Sequence, residues 1–250
     1  MKQVRSLFYP SLLLFGLLAL WQMSATVANQ PFLFPSPLAV AKRMIELHEA
    51  LVSAHLPATL GIILTGLLIS LILGVSMAVI MYKIPIAEKA FYPVLIASQT
   101  IPIIALAPLF VLWFGYGMTS KVVVTVLITF FPITVSTFDG FRTTKKEYID
   151  LMKTMGTSRW HLFAKVEVPS ALPSFFSGLK VAVTLSVIGA AIGEWLGAQA
   201  GLGYFSRRMM TQFDGAGVFA PIVWLSLIGI VLFLLVRIIE SHFLKWRQKK

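Results

Sequence analysis

The sequence predicts an all-α protein that crosses a membrane repeatedly, a polytopic bundle of about six transmembrane helices. Three observations carry this. Of 250 residues, 58% are hydrophobic and only 12% are charged, whereas a soluble domain carries about 25% charge. Mean hydropathy is +0.85, and apolar runs of the roughly 20 residues that a bilayer demands recur along the chain. The charges fall between those runs, chiefly on alternate sides.

The runs cover 7–28, 57–81, 94–114, 120–138, 175–195 and 218–239. The first has Lys2 and Arg5 ahead of LLLFGLLAL and small residues in SATVA after it, which also suits a signal peptide. Its length favours an uncleaved anchor. With the N-terminus inside, fifteen of the 21 Lys and Arg lie on one side, among them Lys83, Lys89, Lys145, Lys146, Arg237 and the C-terminal Arg247, Lys249 and Lys250. Five lie on the other: Lys42, Arg43, Lys121, Arg207 and Arg208, while Lys180 sits early in the fifth run. This bias predicts a multi-pass protein of the bacterial cytoplasmic membrane with both termini in the cytoplasm. It also accounts for the net charge of +11, with no nucleic-acid partner implied.

Between the first two runs, SPLAVAKRMIELHEAL (36–51) predicts an amphipathic helix on the outer side. Ser36 is its cap, Pro37 its first residue, and Val40, Ala41, Met44 and Leu47 its apolar stripe. Pro102 and Pro108 in the third run and Pro132 in the fourth predict kinks or local unwinding. Two regions are expected: 1–55 with the first span and this outer helix, and 56–250 as the main transmembrane domain. The absence of Cys excludes disulfides and thiolate chemistry. His48, His55, His161 and His242 have no ligand spacing, so neither a metal site nor a catalytic residue is predicted.

DLMKTMGTSRWHLFAKVEVP (150–169) is a polar, basic, helix-patterned stretch in a loop of about 142–174. Thr144 and Glu147 have capping-box spacing, so a helix should begin there. Tyr148, Leu151, Met152 and Met155 form one apolar face. Gly156 supplies a left-handed residue to end the helix. Ser158 caps a second helix carrying Trp160, Phe163 and Val166, and Pro169 is expected to stop it. Two roles fit: a helix resting on lipid, or a knob of Leu151, Met152 and Met155 ringed by Lys153, Arg159 and Lys165 that fills a groove on another protein. A DNA-reading helix-turn-helix is excluded by the spans that tether both ends.

The spacing D-L-M-x3-G-x9-V-x-V-P, formed by Asp150, Leu151, Met152, Gly156, Val166, Val168 and Pro169, resembles the E-A-A-x3-G-x9-I-x-L-P loop of binding-protein-dependent ABC importer permeases. Leu-Met is bulkier than Ala-Ala, and Asp replaces Glu. GEWLGAQAGLGY (193–204), SPLAVAKRM and IPIIALAPLFVLWFGYG (101–117) are similar to the nitrate, sulfonate and taurine permease group, which includes thiamine-precursor pyrimidine and riboflavin-type permeases. The resemblance implies an ABC importer type I permease core over the last five spans, forming a path for a small polar solute. It makes Asp150, Leu151, Met152, Lys153, Met155, Gly156, Ser158, Arg159 and Pro169 the ATPase-coupling loop.

No G-x-x-x-x-G-K-[ST] occurs, so no cofactor is expected in this chain. The resemblance places ATP and Mg on two cytoplasmic ATP-binding subunits, beside a second permease copy and an extracytoplasmic binding protein. A secondary carrier or channel is the alternative. It would need a coupling-ion site, for which Glu194 and Lys180 within the fifth span are the candidates.

Glu194 fits either a membrane-edge pair with Trp195 or a path residue. Ser98, Gln99, Thr100, Thr184 and Ser186 are its candidate companions, with Gln99, Thr100 and Ser186 joining Glu194 in the expected path. Lys180 is expected to snorkel towards headgroups. Gly193, Gly197 and Gly201 fit close helix contact or a glycine-rich turn equally well.

Overall fold

The computed structural model describes residues 2–245, and each element among them is helical. In order these are α1 (Lys2–Ala28), α2 (Pro37–Glu46), α3 (His48–Ala50), a π turn (Leu51–His55) and α4 (Leu56–Lys83). Then come α5 (Pro85–Ser98), α6 (Ile103–Phe114), α7 (Met118–Arg142), α8 (Lys146–Thr154) and α9 (Arg159–Leu162). A second π turn (Phe163–Glu167), α10 (Val168–Trp195), α11 (Leu202–Thr211) and α12 (Gly215–Phe243) complete the chain. Arg247, Lys249 and Lys250 of the charge count lie outside the described residues.

Five stretches are long and apolar enough to cross a bilayer: Phe8–Ala28, His48–Lys83, Met118–Arg142, Arg159–Trp195 and Gly215–Phe243. The third span, where Pro102 and Pro108 predict a kink or unwinding, is a bent pair, with α5 and α6 meeting at 101°. Pro102 explains the break. It caps α6 in an extended conformation, has no N–H to continue α5, and disfavours helix at Ile101. Counted as one span, the pair makes a sixth crossing.

Two other boundaries move for a shared reason. The outer helix ends at Glu46, short of residue 51, although Ser36 does cap it by accepting from Ala39 N at 3.3 Å. Leu51 and His55 are buried, which draws the second half of that segment into the span at His48. Pro169 does not stop the helix that begins at Arg159. The preceding π turn has the wider pitch that accommodates a ring and a missing donor, and the helix runs on to Trp195.

The chain forms two compact units. The first comprises Met1–Thr59 and Gln199–Leu225, and the second Leu60–Ala198 and Ser226–Lys250. In the first, Arg43 bridges Glu46 and Asp214, each at 2.8 Å, while Asp214 also accepts from Gly217 N at 2.8 Å and so caps α12. His55 Nδ1 and Thr59 Oγ1 accept from Gly201 N and Leu202 N at 3.0 and 2.8 Å, satisfying the start of α11. Gly201, at φ 124°, makes that turn.

The second unit is built on α7. A side chain at Gly178 would lie 2.5 Å from the carbonyl of Pro132 and from Ser136. At Gly189 it would meet Thr125 Cα, and at Gly193 Lys121 Cα, both at 2.9 Å. Each step forward on α10 matches a step back on α7, so the two run antiparallel with backbones nearly touching. On another side, Gly66, Ser70 and Gly74 of α4 meet Thr125, Thr129 and Ile133 in parallel register, with Ser70 Oγ and Thr129 Oγ1 2.6 Å apart. Against α10, α12 runs antiparallel, with Val183 packed with Val236 and Lys180 bonded to Glu240 at 2.9 and 3.1 Å. Lys180 therefore holds an ion pair and does not snorkel. The C-terminal ends of α4, α7 and α12 and the start of α10 share one end of this unit.

Gly178→Val is expected to force α7 and α10 apart, costing about 1–3 kcal/mol. A fall of several degrees in the thermal midpoint of the detergent-solubilised protein would report it. An unchanged midpoint would show that the seam is not closely packed.

Candidate functional site

The loop joining α7 to α10 is stiff at each joint. Its first helix starts later than the capping box requires. Lys145 is the N-cap without a side-chain bond, and Thr144 Oγ1 is buried with no partner among the described residues. Thr144 N is already bonded back to Phe141 O at 3.2 Å, which holds Thr144 on the end of α7. Glu147 still falls in the first turn of α8, where its charge favours the helix dipole. At the other end, Gly156 adopts φ 71°. Its N–H donates to Lys153 O at 3.0 Å and Thr157 N–H to Met152 O at 3.1 Å, the two bonds of a Schellman cap. Ser158 then accepts from His161 N at 3.4 Å and caps α9 as expected.

These caps place an apolar knob outside the unit's core. Leu151 is 58% exposed and Met155 71%, with Asp150, Lys153 and Arg159 exposed around them. Beside the knob lies a concavity of about 570 Å³ lined by Tyr148, Leu151, Met152, Lys165, Val166, Pro169 and Ser170. Pro169 thus shapes the wall of the site without ending the helix. Trp160, 70% exposed, flanks it. Large apolar side chains held in water by two capped helices cost free energy unless something covers them.

A clamp that the sequence did not reveal fixes the base of this loop. Glu167, 5% exposed, accepts from Tyr82 Oη at 2.9 Å and from Lys83 Nζ at 2.5 Å. Tyr82 stacks on Phe141 at 4.9 Å and Phe141 on Phe163 at 5.7 Å, while Lys83 Nζ lies 4.4 Å over Phe163. The end of α4, the end of α7 and the π turn are thereby tied together. The available signal was an acidic residue between two valines just before Pro169, a position whose burial requires a partner.

The expected path residues lie at the α5–α6 bend and on α10. Gln99 and Thr100 are exposed at the α5–α6 bend, where Thr100 Oγ1 donates to Ala97 O at 2.7 Å. Ser98 and Thr184 likewise donate to backbone carbonyls of their own helices. Ser186 is fully buried and donates to Val183 O at 2.8 Å. Glu194, in the last turn of α10, is 1% exposed beside the α7–α10 contact, while Trp195 remains half-exposed. Its neighbour is Lys121, whose charge attracts it and whose Nζ donates to Tyr116 O at 3.3 Å. Lys121, counted among the charges of the outer side, is buried in the first turn of α7. The glycine question divides: Gly193 and Gly197 serve close contact, against Lys121 and the Tyr116 ring, while Gly201 serves a turn.

A bent, multi-span helical bundle carrying a rigid apolar hook on one loop is the architecture of a membrane permease subunit. The chain belongs to the binding-protein-dependent transport system inner membrane component family, whose model matches residues 70–245. It is 54% identical over its whole length to the whole of the formylaminopyrimidine transport permease protein ThiX of Halalkalibacterium halodurans. It is 38% identical to the riboflavin transport system permease protein RibX of Chloroflexus aurantiacus, over 92% of this chain and 87% of the other. Its fold matches the MetNI methionine ABC transporter in an inward-facing conformation, with a TM-score of 0.68 and 18% identity, covering 79% of this chain and 98% of that one. The carrier or channel alternative has no support in either family or fold.

The clamp should show energetic coupling. In a double-mutant cycle of Lys83→Met and Glu167→Gln, the two thermal destabilisations are expected to be non-additive by about 1 kcal/mol or more. Additivity within about 0.5 kcal/mol would remove the clamp as a structural tie.

Proposed function

We propose that this chain imports a formylaminopyrimidine-type solute as one of two identical permease subunits, driven by ATP-binding subunits that grip the α8–α9 loop from the cytoplasm. Membership of the family makes it an ABC importer subunit that works with ATPase and substrate-binding partners. The observation that carries the finer reading is the hook: Leu151 and Met155 exposed, with Met152 half-buried beside them, at the end of a helix closed by Gly156 and on a loop whose base is clamped by Glu167.

ATP binding and Mg²⁺ then belong to the partner. Closure of the two ATPases would move the hook, and the clamp would pass that displacement to the ends of α4, α7 and α10 as a rigid lever. Clustering of Lys and Arg on the hook side supports a cytoplasmic location for it and for both termini. One bundle encloses little room for a solute, which supports a homodimer around a shared path. The proposed functional division is a permease core from residue 56 onward and an N-terminal helix with its outer amphipathic segment before it.

The solute assignment rests on the full-length relative named for formylaminopyrimidine transport. The relative named for riboflavin transport takes another planar nitrogen heterocycle. Both differ from the small tetrahedral or trigonal anions of sulfonate and nitrate permeases.

Two outcomes are expected. Leu151→Asp with Met152→Asp, or Gly156→Val, should lower recovery of the ATP-binding subunit on co-purification by about tenfold or more while the permease still inserts. Nothing lies within 4 Å of a side chain at Gly156, so the valine reports backbone strain at positive φ. Full retention of the partner would defeat the docking role. Vesicles holding the complex should accumulate labelled formylaminopyrimidine with ATP and not labelled taurine, and the reverse preference would overturn the solute assignment.

A further inference from the structure

A second concavity lies near the hook-bearing end of the bundle, within about two helical turns of the points where α7 ends and α10 begins. It has a volume of about 420 Å³ and is lined by Ser136 and Asp139 of α7 and by Pro173, Ser174 and Ser177 of α10. The size suits a small heterocycle. Its chemistry is unlike the rest of this helix pair. Thr129, Thr134 and Thr137 of α7 spend their hydroxyls on carbonyls of their own helix at 2.6–2.8 Å. The hydroxyls of Ser136, Ser174 and Ser177 and the carboxylate of Asp139 have no partner among the described residues.

The close seam creates this exposure. Gly140 packs against the Ala171 carbonyl and Gly178 against Pro132 and Ser136, so the backbones approach and small side chains flank an open cleft. Asp139 is also left without a counter-ion. Arg142, the nearest cation along the helix, is turned to Glu88 at 3.6 Å and lies 5.6 Å over the Phe138 ring. Lys180 is committed to Glu240 and Lys83 to Glu167. Asp139 and Ser177 are exposed and Ser136 and Ser174 half-buried, so a carboxylate and three hydroxyls stand open in one groove, a set suited to a ligand rich in N–H donors.

We propose that Ser136, Asp139, Ser174 and Ser177 form a solute-binding station at the inner mouth of the translocation path, where Asp139 accepts hydrogen bonds from the exocyclic amine or amide N–H of an aminopyrimidine. This rests on the permease reading above and assigns it a site the sequence did not suggest. The station does not include Gln99 and Thr100, which lie exposed at the α5–α6 bend, or Ser186 and Glu194, which are buried. It also gives the path a preference for donor-bearing heterocycles over anions, which the carboxylate would repel.

The chain has no cysteine, so single cysteines at Ser136, Ser174 and Ser177 can be read without background. In the assembled complex with its ATPase and binding-protein partners, each should react with a charged, membrane-impermeant thiol reagent applied from the cytoplasmic side. Trapping the complex with ATP and vanadate should slow the reaction about tenfold. Absence of reaction in both states would place the groove against lipid or a second copy and overturn the station. Asp139→Asn should lower formylaminopyrimidine uptake per ATP hydrolysed about tenfold, and Asp139→Glu should recover most of it. Wild-type uptake per ATP in Asp139→Asn would overturn the recognition role. If the wild-type complex moves no pyrimidine at all, the solute assignment fails instead, and the cysteine reactivities still decide whether the groove is on the path.

Discussion

The near-contact of the α7 and α10 backbones is the constraint on which the other features depend. Glycine on α10 at 178, 189 and 193 lets the two helices meet with almost no side-chain layer between them. In a bilayer no hydrophobic force presses helices together, so packing at this range and the hydrogen bonds it permits have to hold the bundle. Because the hook is the connection between these same helices, the seam also fixes the separation and direction of the hook's two roots. The parallel contact of Gly66, Ser70 and Gly74 with α7 brings the end of α4 to the same place, within reach of Glu167.

That arrangement accounts for the placement of the ionised groups. Buried charge is costly unless paired, and the Lys180–Glu240 and Lys83–Glu167 pairs each join two elements at the hook end. At the opposite end of the seam, Lys121 and Glu194 face each other across α7 and α10. The ions therefore act as ties between helices. Motion imposed on the hook would reach α4 through Glu167 and Lys83 and α12 through Lys180 and Glu240.

The sequence made the spans legible because apolar length is a strong signal, and it made Gly156 and Ser158 legible because turn and cap chemistry is local. It misled where tertiary contact overrode local chemistry. Thr144 has the spacing of a capping box, yet its amide is already held on α7. Pro169 reads as a stop, yet a π turn accommodates it. Ser186 and Glu194 read as path residues from polarity alone, but the direction they face depends on the register between α7 and α10. That register is a three-dimensional property of glycines 42 to 72 residues from their partners. The role of Glu167 is not legible for the same reason, since its partners Tyr82 and Lys83 lie far away in the chain.

The most direct test of the account replaces Met155 with cysteine and asks what a short thiol-directed crosslinker on that side chain captures in native membranes. A rigid cytoplasmic hook predicts a single adduct with the ATP-binding subunit, formed with and without nucleotide. Capture of no second protein, or reaction only with reagent supplied from the outer face of the membrane, would contradict it.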